Sequence, residues 1–244
     1  MPPEHTMRNI QIEALHSSTF AGCPEWLQAS FAMRMRENPR FAQFVAAHQD
    51  KIRKKLRSQR DEPGIYDVAF ELIVAHRLLG DPGCALAYEA YAASKMRGPD
   101  FTATYKGHLA VNVEVRRLRG VVTPARLGDA LAGKLRQLPP GIPNMVVFGA
   151  EDACSALFEP GIAAARLRER AEAHDEALFA RHGFADATAF FRGFLRLSAI
   201  ALLAPWNDDV AGNGSTMEPD TVLWLNPQAK HPLPRAARSA LCML

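Results

Sequence analysis

The chain has 244 residues, 48% hydrophobic and 23% charged, with a net charge of +3, so it can bury a full core and admits a polyanionic partner without demanding one. Its four cysteines (Cys23, Cys84, Cys154, Cys242) are far apart with no CxxC pair, which excludes a zinc ribbon or disulfide framework and fits a reducing compartment. The N-terminus lacks a basic-then-apolar signal pattern and the longest apolar run, 199–206, is far short of the ~20 residues of a membrane helix, so the expectation is a cytoplasmic chain with no membrane partner.

Residues 24–60 read as helical. Trp26, Leu27, Phe31 and Met35 fall at helical spacing, Pro39 punctuates, and Phe41, Phe44, Val45 and Ala47 open a second helix. That helix runs into KIRKKLRSQR (51–60), which holds six basic residues and no acidic one. Such a run is either a solvated face or an edge that contacts phosphates, through Lys51, Lys54, Lys55 and Arg57. After the break at DEPG (61–64), IYDVAFELIVAHRLL (65–79) is apolar around most of its circumference and should be buried. Within it Glu71 stacks with Val68, Val74 and Ala75, where a carboxylate needs a cation or a metal to be tolerated.

Three strands are expected next: CALAYEAYAAS (84–94), whose alanines also permit a helix, DFTATYKG (100–107) and LAVNVEVRRL (109–118), with Lys106-Gly107-His108 as the turn between the last two. Thr123-Pro124 has the form of an N-cap followed by proline at the first helical position, opening the helix ARLGDALAGKLRQL. NMVVFGA (144–150) is a short apolar strand of the kind buried on both faces. Residues 155–195 return to helix and read as an insertion or cap. LSAIALLAPW (197–206) reads as another buried strand, 207–220 as a polar loop, and 221–234 as a last strand running into a proline-rich tail. The resulting fold class is α/β, a mixed sheet flanked by helices, with an N-terminal helical region at 1–62 and the α/β core at 63–244.

The chemistry concentrates in 98–117. In the third strand Asn112, Glu114 and Arg116 share one face while Val111, Val113 and Val115 share the other. The hairpin can bring Asp100, just before the second strand, beside Glu114. Two oxygen ligands of this kind suit Mg²⁺ or Mn²⁺, which assists phosphodiester hydrolysis by polarising the phosphate. Glu71, from the buried helix, would be a third carboxylate.

The constellation resembles the PD-(D/E)xK nuclease superfamily, on Pro99-Asp100 and Glu114-Val115-Arg116, with Glu71 matching a helix glutamate often found upstream. The resemblance covers about 65–150 and implies a restriction-endonuclease-like core of a helix, three antiparallel strands, a helix and a strand. It also implies that Asp100, Glu114 and the backbone carbonyl of Val115 ligate the metal. The family pattern ends in lysine, whereas Arg116 stands there in this chain. Arginine stays charged, so it can bind and stabilise a phosphate but not take a proton; Lys106 in the hairpin turn is a candidate replacement.

Two functions follow as expectations. One is a metal-dependent nuclease, most simply acting on DNA, with Glu71, Asp100, Glu114 and Arg116 as its catalytic set and a homodimer as one way to cut both strands. The other is a catalytically inactive protein of the same fold, serving as a nucleic-acid-binding or assembly subunit, in which Arg116 closes the site by pairing with Glu114 or Glu71. No G-x-S-x-G serine, P-loop or dinucleotide fingerprint is present.

Overall fold

The computed structural model describes residues 4–91, 98–151, 159–204, 220–235 and 237–238. Its N-terminal part is a run of helices: α1 (Glu4–Phe20), α2 (Glu25–Glu37), α3 (Pro39–Ala47), α4 (Gln49–Ser58) and α5 (Glu62–Leu78). α1 lies within the helical region expected at 1–62; its apolar residues are too sparse to make a clear stripe, yet Ile12 and Phe20 are buried and Phe20 stacks on Phe31 at 5.2 Å. Asn38 ends α2 and caps α3, accepting from the backbone N–H groups of Arg40 and Phe41, both at 3.1 Å. The helix expected to run on into the basic segment breaks at His48, where φ is −119° and ψ 17°. Asp61 caps α5 through the Gly64 N–H at 2.9 Å, so the residues read as a chain break lie in the first turn of the helix.

The strands are β1 (Cys84–Tyr88), β2 (Phe101–Tyr105), β3 (Leu109–Leu118), β4 (Asn144–Ala150), β5 (Leu197–Ala204) and β6 (Asp220–Leu225). They form one mixed six-stranded sheet in the order β1-β2-β3-β4-β5-β6. β1, β2 and β3 make an antiparallel meander, β3, β4 and β5 are parallel, and β6 returns antiparallel. The first parallel crossover is α6 (Pro124–Leu135), capped by Thr123 as its sequence predicts. The second consists of α7 (Pro160–Glu172), α8 (Glu176–His182) and α9 (Ala187–Phe194). β1 stops at Tyr88, short of the expected 94, and Glu89 follows with a φ of +47°. β6 ends at Leu225, well before 234. The polar-loop reading of 207–219, and Cys154, Ser155, Trp206 and Cys242, lie outside the described residues.

The helices form two layers. On one face Phe31, Phe41 and Ile52 from the N-terminal helices join Phe70 of α5 against Val113, Val147 and Ala201. On the other, Leu131, Leu167 and Phe190 cover Phe148, Ile200 and Leu202. The segment read as an insertion or cap is therefore this second layer: β4 and β5 bury every residue, and without α7–α9 their outward side chains would face water. A buried amide chain ties the strands together. Thr102 donates to Asn112 at 3.1 Å, Asn112 donates to Asn144 at 3.0 Å, and the Asn144 backbone N–H donates to Ser198 Oγ at 2.9 Å. Among the described residues no helix is long and apolar enough to cross a membrane.

Gly149 in β4 sets how closely α5 approaches the sheet, because a Cβ there would stand 2.5 Å from the Phe70 ring. Gly149→Ala is expected to destabilise the protein by about 1–3 kcal/mol by displacing the helix that carries Glu71. Urea denaturation checks this; an unchanged midpoint would show that α5 has slack against β4.

Candidate active site

The site arises from unequal strand lengths. Pairing of β2 with β3 ends at Phe101–Val113, and β1 ends beside it at Tyr88, while β3 continues on β4 to Leu118. Beyond Val113 the β2-facing edge of β3 has no strand partner among the described residues. Asp100 takes the place of one: its Oδ2 accepts the Val115 backbone N–H at 2.8 Å. In a strand the N–H and C=O of one residue face the same edge, so the Val115 carbonyl lies on this edge as well. The Asp100 backbone carbonyl in turn accepts from the Glu89 N–H at 2.7 Å.

Three carboxylates meet here from three directions. Glu71 comes from α5 on one face of the sheet, Asp100 lies at the edge, and Glu114 projects on the α6 face, with Glu71 and Glu114 only 5% and 4% exposed. Alternation along β3 held as expected, with Val111, Val113 and Val115 packing on the α5 side. Burial, then repulsion from Asp100, pushes the Glu71 carboxyl up to about 7, against the pull of Lys55. Glu114 rises to about 7 for the same two reasons, against the pull of Lys134. Asp100 is also raised by burial, while its bond from Val115 opposes the shift.

Each buried glutamate has its own lysine. Lys55 of α4 donates to both oxygens of Glu71, at 2.7 and 2.5 Å, and reaches Glu89 at 3.3 Å. Lys51 binds Glu89 at 3.1 Å, and the two ammonium groups stand 4.9 and 5.5 Å from the Tyr88 ring centroid. Burial alone would depress Lys55, but Glu71, Asp100 and Glu89 together outweigh it and hold the lysine raised. On the other face Lys134 of α6 pairs with Glu114. Of the four basic residues expected to contact phosphate, Lys51 and Lys55 thus turn into the carboxylate cluster, while Lys54 and Arg57 are exposed.

Arg116 is exposed on β3, and the cation beside Glu114 is Lys134 rather than Arg116. Lys106 is at the wrong end of the hairpin: it sits in the β2–β3 turn with a φ of +48°, five residues of strand from Asp100, roughly 17 Å away. Lys134 was missed because the expected cation was sought in the strand. Its signal is the α6 pattern, where Leu127, Leu131 and Leu135 form the buried stripe and Lys134 flanks it one turn beyond Leu131. Lys55 stands in the same relation to Ile52 and Leu56 in α4.

The donor set suits a hard divalent cation in its chemistry: buried carboxylate oxygens, crowded enough to repel one another, beside a strand-edge carbonyl. Glu71 and Glu114 approach from opposite faces, each drawn to its lysine, and among the described residues no three acidic, histidine or cysteine side chains already share a metal-sized space. Asp100, Glu114 and the Val115 carbonyl, all on the open edge of β3, are the groups that could hold such a cation, and a ready-made three-carboxylate cage is not formed among the described residues. Compared with known protein families, curated proteins and solved structures, the chain matches none.

A pH dependence follows from the raised glutamates. A carboxyl that is raised on folding favours the protonated form in the folded state. Its stabilising contribution is complete below the ordinary value of 4.5 and is lost as pH rises through about 7. In EDTA, the Tm of the wild type should fall across that window more steeply than that of Glu71→Gln. Parallel profiles would mean that Glu71 is not raised.

Proposed function

We propose that this chain is a metal-dependent nuclease-like phosphodiesterase on a restriction-endonuclease-like core, resembling the PD-(D/E)xK superfamily and acting on DNA in a reducing, cytoplasmic compartment. The observation that carries the reading is the convergence of Glu71, Asp100 and Glu114 where β2 stops and β3 goes on, with a lysine against Glu114. The element order α5-β1-β2-β3-α6-β4 supports it, since it is the order the resemblance implies.

Asp100, Glu114 and the Val115 carbonyl would hold Mg²⁺ or Mn²⁺, which would supply Lewis-acid polarisation of the phosphoryl group. The chain's own groups divide the remaining work. Lys134 keeps a compact, mobile cation beside Glu114, in the role that arginine at 116 cannot fill because it does not release a proton at working pH. Arg116, exposed two residues on, is placed to bind phosphate. Lys55 holds Glu71 in line with the cluster, and the exposed Lys54 and Arg57 of α4 can meet the backbone charge of a bound strand. A homodimer would let two such sites act on the two strands of a duplex.

One observation favours the second reading, an inactive nuclease-fold protein. Lys55 and Lys134 already neutralise Glu71 and Glu114, so the site is satisfied as a set of structural ion pairs. Calorimetry with Mn²⁺ separates the two: a one-to-one site lost in Asp100→Asn favours the enzyme, and absence of binding favours the structural version.

Cleavage of supercoiled plasmid in Mn²⁺ tests the activity directly. Glu114→Ala should lower the rate by at least about 10³-fold and Lys134→Met by about 10²-fold, with both variants folded by circular dichroism. A Glu114→Ala rate equal to that of the wild type overturns the site.

A further inference from the structure

The open edge of β3 does not end at the carboxylates. Past Val115 it runs into a cleft of about 390 Å³ walled by Asp67 of α5, by Arg116, Arg117 and Arg119, and by Arg126 and Asp129 of α6. Its walls come from helices on opposite faces of the sheet and from the last residues of β3, so the cleft lies at the C-terminal end of that strand, beginning two residues past Glu114.

The charges in this cleft do not cancel. Asp67 accepts from Arg117 Nε at 2.7 Å with one oxygen and from Arg119 Nη2 at 2.8 Å with the other. Arg117 is also bound to Glu151 and to the Pro63 carbonyl, so it is a buried structural cation. Asp129 pairs with Arg181 and His182, each at 2.9 Å. Both lining acids are therefore matched by other cations, and neither of them pairs with Arg116 or Arg126. These two guanidinium groups are exposed, and that of Arg126 meets a carbonyl, Val121 O at 3.3 Å.

We propose that this cleft binds a backbone phosphate of a nucleic-acid strand, held by Arg116 and Arg126. The proposal rests on the nuclease reading, to which it adds the path of the substrate: the strand follows the open edge of β3 from the carboxylates toward the start of α6. Guanidinium suits the task because its planar fork of donors matches phosphate oxygens and stays charged. Glu114 and Arg116 are two steps apart on β3, roughly 7 Å of strand, which is on the order of the distance between neighbouring phosphates of one nucleic-acid strand. The cleft thus holds a phosphate flanking the one at the carboxylates.

The test is binding of a fluorescein-labelled DNA duplex, and of its single strand, to metal-free protein over a range of salt. Arg116→Gln with Arg126→Gln is compared with a control of equal charge, Arg166→Gln with Arg192→Gln, at exposed positions on α7 and α9. The cleft variant should bind on the order of tenfold more weakly and lower the duplex salt slope by about 0.9, the one phosphate that the two arginines hold together, while the control binds as the wild type does. Equal weakening in both variants, or an unchanged slope in the cleft variant, overturns the cleft. Plasmid cleavage run alongside keeps the two readings apart. Cleavage abolished by Glu114→Ala, with a cleft variant that binds like the wild type, removes the cleft and leaves the nuclease. Arginine-dependent binding without cleavage by the wild type leaves the cleft and removes the activity. A wild type that binds neither form of DNA ends the inference.

Discussion

Everything at the candidate site depends on where β2 stops. One residue before the strand begins, Asp100 offers a carboxylate instead of a backbone group to β3, and its bond to the Val115 N–H closes the ladder with a side chain. A further residue of β2 pairing would cover that edge and leave no room for a ligand. Asp100 satisfies the half-buried Val115 donor that the early stop leaves without a strand partner, and the strand edge stays open on the same stretch. Fold and site are therefore one feature: the register Phe101–Val113 fixes Asp100 opposite Glu114.

Opening the edge creates an electrostatic problem that the surrounding helices solve. Asp100 repels both glutamates in a partly dry site, and burial with that repulsion favours protonation, as the raised Glu71 and Glu114 indicate. An uncompensated buried charge costs several kcal/mol, and the chain answers with one lysine per glutamate, from a different helix on each face. Each lysine flanks a buried apolar stripe, so its stem packs along the core while its ammonium reaches the acid. Repulsion among the carboxylates and their pairing with lysines are opposing demands on the same atoms, and a divalent cation would change their balance. That balance separates the two proposed readings, a metal-dependent enzyme and a set of structural ion pairs.

Much of this was legible in the sequence, and the exceptions have physical causes. Strong local signals held: the alternation of LAVNVEVRRL and the wholly apolar NMVVFGA match the observed strands, and the Thr123-Pro124 cap marks the start of α6, which ends at Leu135, three residues before the expected Leu138. The pairing of Asp100 with the third strand was readable because a hairpin turn fixes register. Contacts between distant elements were not. α1 packs through a few residues with little periodicity, and the role of α7–α9 as the second layer depends on the crossover, which composition does not reveal. Lys55 and Lys134 looked like surface charge for the same reason. Their partners lie 16 and 20 residues away on other elements, and one step around a helix decides whether a lysine faces water or a buried acid.

The two kinds of cation are sorted along one strand edge. Lysines sit against the carboxylates, where a compact ammonium on a flexible stem can pair with a buried acid and withdraw if a metal takes its place. Arginines line the cleft beyond, where a fixed fork of donors is suited to an oxyanion and withdrawal would serve no purpose. Arginine at position 116 is then not a damaged lysine. On an edge that already has Lys134 over Glu114, a lysine at 116 would duplicate a function, whereas an arginine extends the positive surface along the line a phosphate backbone would take. Under the proposed nuclease reading, Arg116 and the unmatched charge of the cleft have a single explanation: Lys134 of α6 serves as the cation beside Glu114, and position 116 serves the binding surface.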